Sequence, residues 1–114
     1  MSVVVHGKIA LAVSLRLAAS ATAEHCLAML SEDERDIFAA AEGDRDALGL
    51  LYDRHAPSLL ALARVILKDA KEAEDLLHDV FVEVWRCAGD YDPERGSVSA
   101  WLRLRVRSRA LDRV

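Results

Sequence analysis

The feature of this sequence that most constrains its fold is an apolar stripe with helical spacing between residues 48 and 66. Apolar side chains recur there every three or four positions, which places them along one side of an α-helix. The stripe consists of Leu48, Tyr52, His55, Leu59, Leu62 and Ile66, with Leu51 and Ala63 beside it. We expect Pro57 to kink or divide this helix, because proline lacks an amide donor and clashes with the preceding turn. His55 is predicted to be a packed core histidine rather than a ligand.

Capping signals predict a helix on either side of this stripe. Ser31, followed three residues later by Glu34, has the form of a capping box that opens a short helix, and Gly43 is placed to end it. Asp44 can then cap the striped helix, and Asp69 a third helix that runs to about residue 88. The predicted buried face of this third helix is formed by Ala73, Leu76, Leu77, Val80, Val84 and Trp85.

The last segment gives a conflicting signal. After a loop of turn-forming residues at 89–96, residues 101–109 alternate between apolar and polar, which is typical of a strand. A single strand would have no partner in an otherwise helical chain, so we predict a final helix capped by Ser97. The fold class is therefore all-α, a compact bundle of three to four helices. We expect its core to contain Leu48, Leu51, Leu59, Leu62, Ile66, Leu76, Leu77, Val80, Val84, Trp85, Trp101 and Leu102.

Charge is unevenly distributed along the chain, although the net charge is only −4. Residues 69–94 hold nine acidic side chains against two basic ones, whereas residues 95–114 hold six arginines against one aspartate. Arginine suits phosphates because its guanidinium is permanently charged and can bind two oxygens at once. An acidic helix face suits a basic protein surface. Composition alone also allows both charged runs to be ordinary solvated surface.

The remaining features exclude other classes of protein. With 114 residues the chain holds at most one domain, and it shows no Gly-rich phosphate loop and no catalytic or metal-ligand spacing. We therefore expect neither an enzyme nor a cofactor or metal. Residues 1–30 are interpreted as a leader that is disordered or partly helical, because Arg16 interrupts the apolar run that an export signal or membrane span requires. Cys26 and Cys87 can form a disulfide, but two idle thiols are favoured.

Several short motifs in fixed order point to a family. They lie at residues 51–57 (LYDRHAP), 73–85 (AEDLLHDVFVEVW), 91–97 (YDPERGS), 100–102 (AWL) and 107–113 (RSRALDR). Each motif is weak alone, but together they resemble region 2 of the extracytoplasmic-function (ECF) sigma factors of the sigma-70 family. The resemblance runs from about residue 33 to the end and implies a region 2 domain over residues 31–114. The second domain of such factors, which reads the promoter −35 element, is expected to be absent, and trimming of a longer protein is the simplest explanation.

The resemblance implies a protein-docking face on the third helix. In the family this helix binds the coiled coil of the β′ subunit of RNA polymerase. The matching residues are Asp75, His78, Asp79, Phe81 and Glu83. Carboxylates one turn apart can pair with arginines across an interface. For Phe81, core packing and partner contact remain equally open.

The resemblance also implies a DNA-binding surface on the loop and last helix. In the family these elements open the −10 element and capture a base flipped out of the non-template strand. The candidate residues are Asp92, Arg95, Ser97, Arg103, Arg105, Arg107, Ser108 and Arg109. Ser108 stands where relatives often carry asparagine, and Arg105 where an apolar residue is common, so either the helix is rotated or Arg105 makes an extra contact. Trp101 is interpreted as a core anchor in preference to a base-stacking residue.

The resemblance finally implies partners and a location. They are core RNA polymerase through β′, promoter DNA through the non-template −10 strand, and an anti-sigma factor, all in the cytoplasm and away from the membrane. The alternative function is a sigma mimic that binds an anti-sigma factor without recognising a promoter. The abundance of arginine in the last helix argues against the mimic, which has no need of it.

Overall fold

The computed structural model describes residues 30–114, which form four α-helices and two short 3₁₀ turns. The helices are α1 (Glu32–Ala41), α2 (Arg45–Leu67), α3 (Ala70–Cys87) and α4 (Val98–Arg113), and the 3₁₀ turns are Ala88–Asp90 and Pro93–Arg95. The long helix α2 packs against the other three. Over these residues the predicted all-α bundle is confirmed, whereas the predicted leader up to residue 29, with Cys26, lies outside them. None of the described helices combines the length and apolarity that a membrane crossing requires.

Each of the four helices begins at its predicted N-cap residue. The Ser31 hydroxyl accepts a hydrogen bond from the Glu34 amide at 3.0 Å, and the Glu34 carboxylate accepts one from the Ser31 amide at 3.1 Å. The side chains of Asp44, Asp69 and Ser97 accept from amides two or three residues ahead. These bonds satisfy amides that have no partner within a helix. The helix starts are thus specified by local chemistry.

Helix α2 continues through Pro57 without interruption. The expectation that Pro57 divides the helix is therefore wrong. The proline ring is exposed and removes a single amide donor, while residues on both sides of it are held by packing against neighbouring helices. The Ser58 hydroxyl donates to the His55 carbonyl at 3.2 Å within the same turn.

The core lies where α2, α3 and α4 meet. Seven of the predicted core residues are fully buried, namely Leu51, Leu59, Leu76, Leu77, Val80, Val84 and Leu102. The other five, Leu48, Leu62, Ile66, Trp85 and Trp101, are half-buried at its edge. The centre of the α2 stripe is shifted, because Leu51 and Ala63, predicted beside it, and also Ala47 are buried, whereas Leu48, Leu62 and Ile66 are half-buried. Small side chains let the helix backbones approach closely, but they contribute little to an apolar pattern.

A partly buried polar contact joins α1 to α2. Arg54 donates hydrogen bonds to Asp33 and to Asp36, the latter at 2.8 Å, and Nε2 of the buried His55 lies 2.9 Å from Oδ2 of Asp33. Burial alone would raise the pKa of Asp33, but hydrogen bonds from His55 and Arg54 outweigh it and hold the pKa below its ordinary value of 3.8. His55 is thus a core histidine, as predicted, with a carboxylate beside it.

Replacing Asp33 with asparagine should lower the free energy of unfolding by about 1–2 kcal/mol at neutral pH, since a charged hydrogen-bonded partner is lost. Because the folded-state pKa of Asp33 lies below 3.8, its stabilisation is present above that pH and is lost as the pH falls through the folded value. Urea unfolding of wild type and Asp33→Asn should therefore converge in acid. The control is Asp53→Asn, which changes an exposed carboxylate on α2. An Asp33→Asn effect no larger than this control would contradict the prediction.

Candidate nucleic-acid and protein interfaces

Helix α4 is fixed by a narrow apolar seam. Val98, Leu102, Val106 and Ala110 recur every fourth residue and are all buried. The strand-like alternation therefore does not match the burial, because Leu102 and Val106 are buried whereas Leu104, the apolar residue between them, is 66% exposed. The helix predicted from the missing strand partner is confirmed. The seam leaves arginines on two opposite sides of α4.

The arginines on one flank of α4 pair with carboxylates of α3. Arg109 donates to Glu83 from Nε at 2.7 Å and from Nη2 at 2.6 Å, and Arg105 Nη1 lies 3.3 Å from the other oxygen of Glu83. Arg113 Nη2 lies 2.6 Å from Asp79 Oδ2. We call these contacts the α3–α4 ladder. The ladder brings together two residues predicted to bind polymerase and two predicted to bind DNA.

The exposed side of α3 carries the other predicted docking residues. Asp75 and His78 are exposed, and within residues 30–114 Asp75 makes no ion pair. The His78 ring stacks on Tyr52 with centroids 6.0 Å apart. Phe81 is only 5% exposed and packs edge-on against Tyr52 at 5.0 Å, so its side chain belongs mainly to the core.

An apolar groove lies beside these residues, between α2 and α3. It has a volume of about 460 Å³ and is lined by Arg45, Leu48, Tyr52, His78, Phe81, Val82 and Trp85. Val82 is half exposed, and the Arg45 guanidinium lies 5.8 Å from the centre of the Trp85 ring. Sequence reasoning missed this groove because its two walls are some thirty residues apart in the chain. It adds an apolar contact area to the acidic face of α3.

The loop between α3 and α4 forms a pocket of about 300 Å³, which we call the loop pocket. It is lined by Asp90, Tyr91, Asp92, Arg95, Gly96, Ser97, Ala100, Trp101 and Leu104. Tyr91 is fully buried and donates a hydrogen bond from its hydroxyl to the Gly96 carbonyl at 2.8 Å. Asp92 caps the second 3₁₀ turn by accepting from the Glu94 amide at 3.0 Å. Gly96 adopts φ +141°, a backbone conformation that residues other than glycine rarely adopt.

Trp101 forms one wall of the loop pocket while packing on the core. Its ring meets Tyr91 edge-on with centroids 5.7 Å apart, and the Arg105 guanidinium lies 4.6 Å from its centroid. The half-buried indole is thus a core anchor, as predicted, with one side facing the pocket. The two alternatives at Arg105 are also resolved. Helix α4 is not rotated, because its apolar seam faces inward. Arg105 instead makes an extra contact, with Glu83 and the Trp101 ring.

A second recess continues from the loop pocket along α2 and α4. This α2–α4 groove has a volume of about 500 Å³ and is lined by Leu62, Ile66, Ser97, Ser99, Ala100, Arg103, Leu104 and Arg107. Ser97, Ala100 and Leu104 line both cavities. Arg103 and Arg107 are exposed and form no ion pair within residues 30–114. Ser108 is exposed on α4 and lines neither cavity.

The comparison with protein families identifies the domain. The family model for sigma-70 region 2 matches residues 51–114, more than half of the chain and all of α3, α4 and both cavities. The chain belongs to the sigma-70 region 2 family. The matched range begins at Leu51, so the region 2 match includes most of α2 and starts after α1.

Curated relatives specify the type of region 2. This chain is 40% identical to the ECF RNA polymerase sigma factor SigK of Mycobacterium ulcerans and 42% identical to SigK of Mycobacterium sp. (strain KMS). Each alignment covers 74 residues, or 65% of this chain. SigK of Mycobacterium tuberculosis is 34% identical over 71 residues. The chain spans about two fifths of the length of these relatives, namely 40%, 38% and 38%. No solved structure matches. The ECF resemblance predicted from the motifs is confirmed.

Titratable and thiol groups elsewhere add no site. Within residues 30–114 no cluster of three or more histidine, cysteine or carboxylate side chains is arranged to hold a metal. Cys87 is half-buried with a free thiol, and its burial raises its pKa. Its pairing with Cys26 falls outside the described part of the chain.

Tyr91→Phe should loosen the loop pocket without unfolding the domain. Burial, reinforced by nearby carboxylates, raises the pKa of Tyr91 to about 12, so at neutral pH its hydroxyl is a donor to Gly96. Losing this bond should cost about 1 kcal/mol. Hydrogen exchange of the amides at 94–97 should accelerate more than exchange in α3. Tyr52→Phe is the matched control, and equal exchange rates in the two variants would contradict this role of Tyr91.

Proposed function

We propose that this domain is the part of an ECF sigma factor that docks on the β′ coiled coil of RNA polymerase and recognises and melts the promoter −10 element. It acts by binding and performs no chemistry of its own. The observation that carries the proposal is the separation of two surfaces. Acidic residues lie exposed on α3, whereas the loop pocket and unpaired arginines lie along the other flank of α4.

The α3 surface has the chemistry of a protein-docking site. Asp75 and His78 stand exposed beside an apolar groove that contains Val82 and Trp85. Protein interfaces combine such an apolar centre with charged residues at the rim, which guide the partner and fix its register. Asp79 lies on the same side but is already paired with Arg113. We therefore assign the main electrostatic contact with β′ to Asp75, with Asp79 contributing less.

The loop pocket and the α2–α4 groove have the chemistry of a single-strand site. An unpaired base requires an aromatic surface for stacking and polar groups for its edge. We assign the stacking surface to the side of Trp101 that lines the pocket, in addition to its packing on the core, and the polar groups to Ser97 and Asp92. Arg103 and Arg107 line the adjoining groove, which supports a path there for the phosphates of the same strand. Capture of a base that is available only in melted DNA favours strand opening. Arg95 lines the pocket, and we assign the exposed Ser108 to DNA that extends beyond the groove.

The proposal also defines partners and location. The partners are core RNA polymerase, the non-template −10 strand and an anti-sigma factor that covers one of the two surfaces, and the domain acts in the cytoplasm. One observation favours the alternative sigma mimic. Arg105, Arg109 and Arg113 neutralise carboxylates of α3, so arginine abundance alone is weaker support for DNA binding than the sequence indicated.

Asp75→Ala should weaken binding to a purified β′ coiled-coil fragment about five- to tenfold, the effect of one interfacial charge pair. Calorimetry with the whole chain provides the measurement. The matched control is Glu74→Ala, which removes an exposed carboxylate from the preceding position of α3 and should change the affinity less than twofold. A folded wild-type chain that fails to bind would contradict the docking role and make an anti-sigma factor the partner to test.

The Arg103→Ala/Arg107→Ala double variant should bind single-stranded −10 oligonucleotides more weakly and with a shallower dependence on salt. The slope of log affinity against log salt should fall by about 1.4, since each phosphate contact contributes about 0.7 for a single strand. Arg35→Ala/Arg64→Ala removes the same charge from exposed positions of α1 and α2 and serves as the control. Equal losses in the two double variants would indicate attraction by net charge alone and would contradict a defined strand path.

A further inference from the structure

Arg105 connects the acidic helix to the wall of the loop pocket. Its Nη1 lies 3.3 Å from Oε1 of Glu83 on α3, and its guanidinium carbon lies 4.6 Å from the centroid of Trp101. Trp101 in turn lines the loop pocket. Three side chains therefore form a continuous chain of contacts from α3 to the pocket.

The position of Arg105 is costly without its carboxylate. Its side chain is only 26% exposed, and its buried Nε has no hydrogen-bond partner within the described residues. A partly desolvated guanidinium is stable there only when a negative charge and an aromatic face compensate for the lost water. Glu83 supplies the charge and Trp101 the aromatic face. Without Glu83, Arg105 should move toward solvent and leave the indole.

We propose that Glu83 is a positioning residue for the loop pocket, which holds Arg105 on Trp101 and so fixes the ring on which a captured base stacks. This inference rests on the proposed function. It assigns to Glu83 a role in base recognition, exerted through Arg105, in place of a direct contact with polymerase. The carboxylate is already occupied by Arg105 and Arg109, as the assignment requires.

The assignment predicts opposite effects on two parts of strand binding. Loss of the Glu83 charge releases Arg105 and Arg109, so attraction to phosphates should stay constant or increase. The contribution of the base should fall, because Trp101 is no longer held in one orientation. A residue that only stabilises the fold would weaken both parts together.

The test compares Glu83→Gln with Glu74→Gln in the whole chain. Affinities are measured for −10 oligonucleotides of about ten nucleotides, with each base in turn replaced by an abasic residue. The position of interest is the one where removing the base weakens wild-type binding most. There, Glu83→Gln should reduce the ratio of the affinity for the intact oligonucleotide to the affinity for the abasic one about fivefold, as expected for partial loss of base stacking. Glu74→Gln should leave the ratio unchanged. A ratio unchanged in Glu83→Gln would overturn the proposal.

A double-variant cycle tests whether Glu83 acts through Arg105. Arg105→Gln should reduce the same ratio, and Glu83→Gln/Arg105→Gln should reduce it no further than either single variant does. Independent effects that multiply in the double variant would contradict the relay.

A measurement without DNA separates this proposal from the proposed function. In a Trp85→Phe background, Trp101 is the remaining tryptophan of the chain, and its quenching by acrylamide reports how well the ring is covered. Quenching should increase about twofold in Glu83→Gln and stay unchanged in Glu74→Gln. If wild type binds no strand, the proposed function fails, and the relay is judged on this quenching alone. Unchanged quenching in Glu83→Gln would overturn the relay.

Discussion

The packing of α4 through one residue in four determines what the rest of this domain can do. Val98, Leu102, Val106 and Ala110 bury a seam so narrow that arginines remain on both flanks of the helix. One flank faces α3 and balances its carboxylates, and the other faces the loop and the end of α2. A wider apolar stripe, typical of helices in small bundles, would have removed one of these two sets. The seam therefore gives a single arginine-rich helix one flank that is paired within the domain and one flank that is exposed.

The distribution of charge follows from this geometry. The ladder pairs Asp79 and Glu83 with arginines, whereas Asp75 is exposed beside an apolar groove and forms no ion pair among the described residues. Among the described residues of α4, Arg103 and Arg107 form no ion pair and lie along a continuous recess with the loop pocket. In the proposed function, opposite charges so arranged would direct a basic protein and a nucleic-acid strand to different faces of a domain with low net charge. Glu83 then links the two faces, because it holds the arginine that covers Trp101.

Most of the fold could be predicted from the sequence, because its signals are local. Ser31, Asp44, Asp69 and Ser97 form caps with amides two or three residues away, and leucines at helical spacing mark the core. The buried Ala47 and Ala110 and the loop residue Tyr91 were missed, since none of them stands out in an apolar pattern. The pairing of Glu83 with Arg105 and Arg109 could not be predicted, because it joins residues 22 and 26 positions apart and depends on how two helices cross. The arginines of the last segment thus look alike in the sequence, although Arg105, Arg109 and Arg113 pair with α3 and Arg103 and Arg107 are exposed without an ion pair among the described residues.

The most direct test is to map both partners on one labelled sample of the whole chain by ¹⁵N–¹H NMR. Amide shifts are followed on addition of a β′ coiled-coil fragment, and separately of a single-stranded −10 oligonucleotide. Two distinct sets of shifted amides are expected, one around Asp75, His78 and Val82 and the other around Ser97, Arg103 and Arg107. This expectation would be contradicted if the strand shifted the α3 set, or if neither partner shifted any amide of the folded chain.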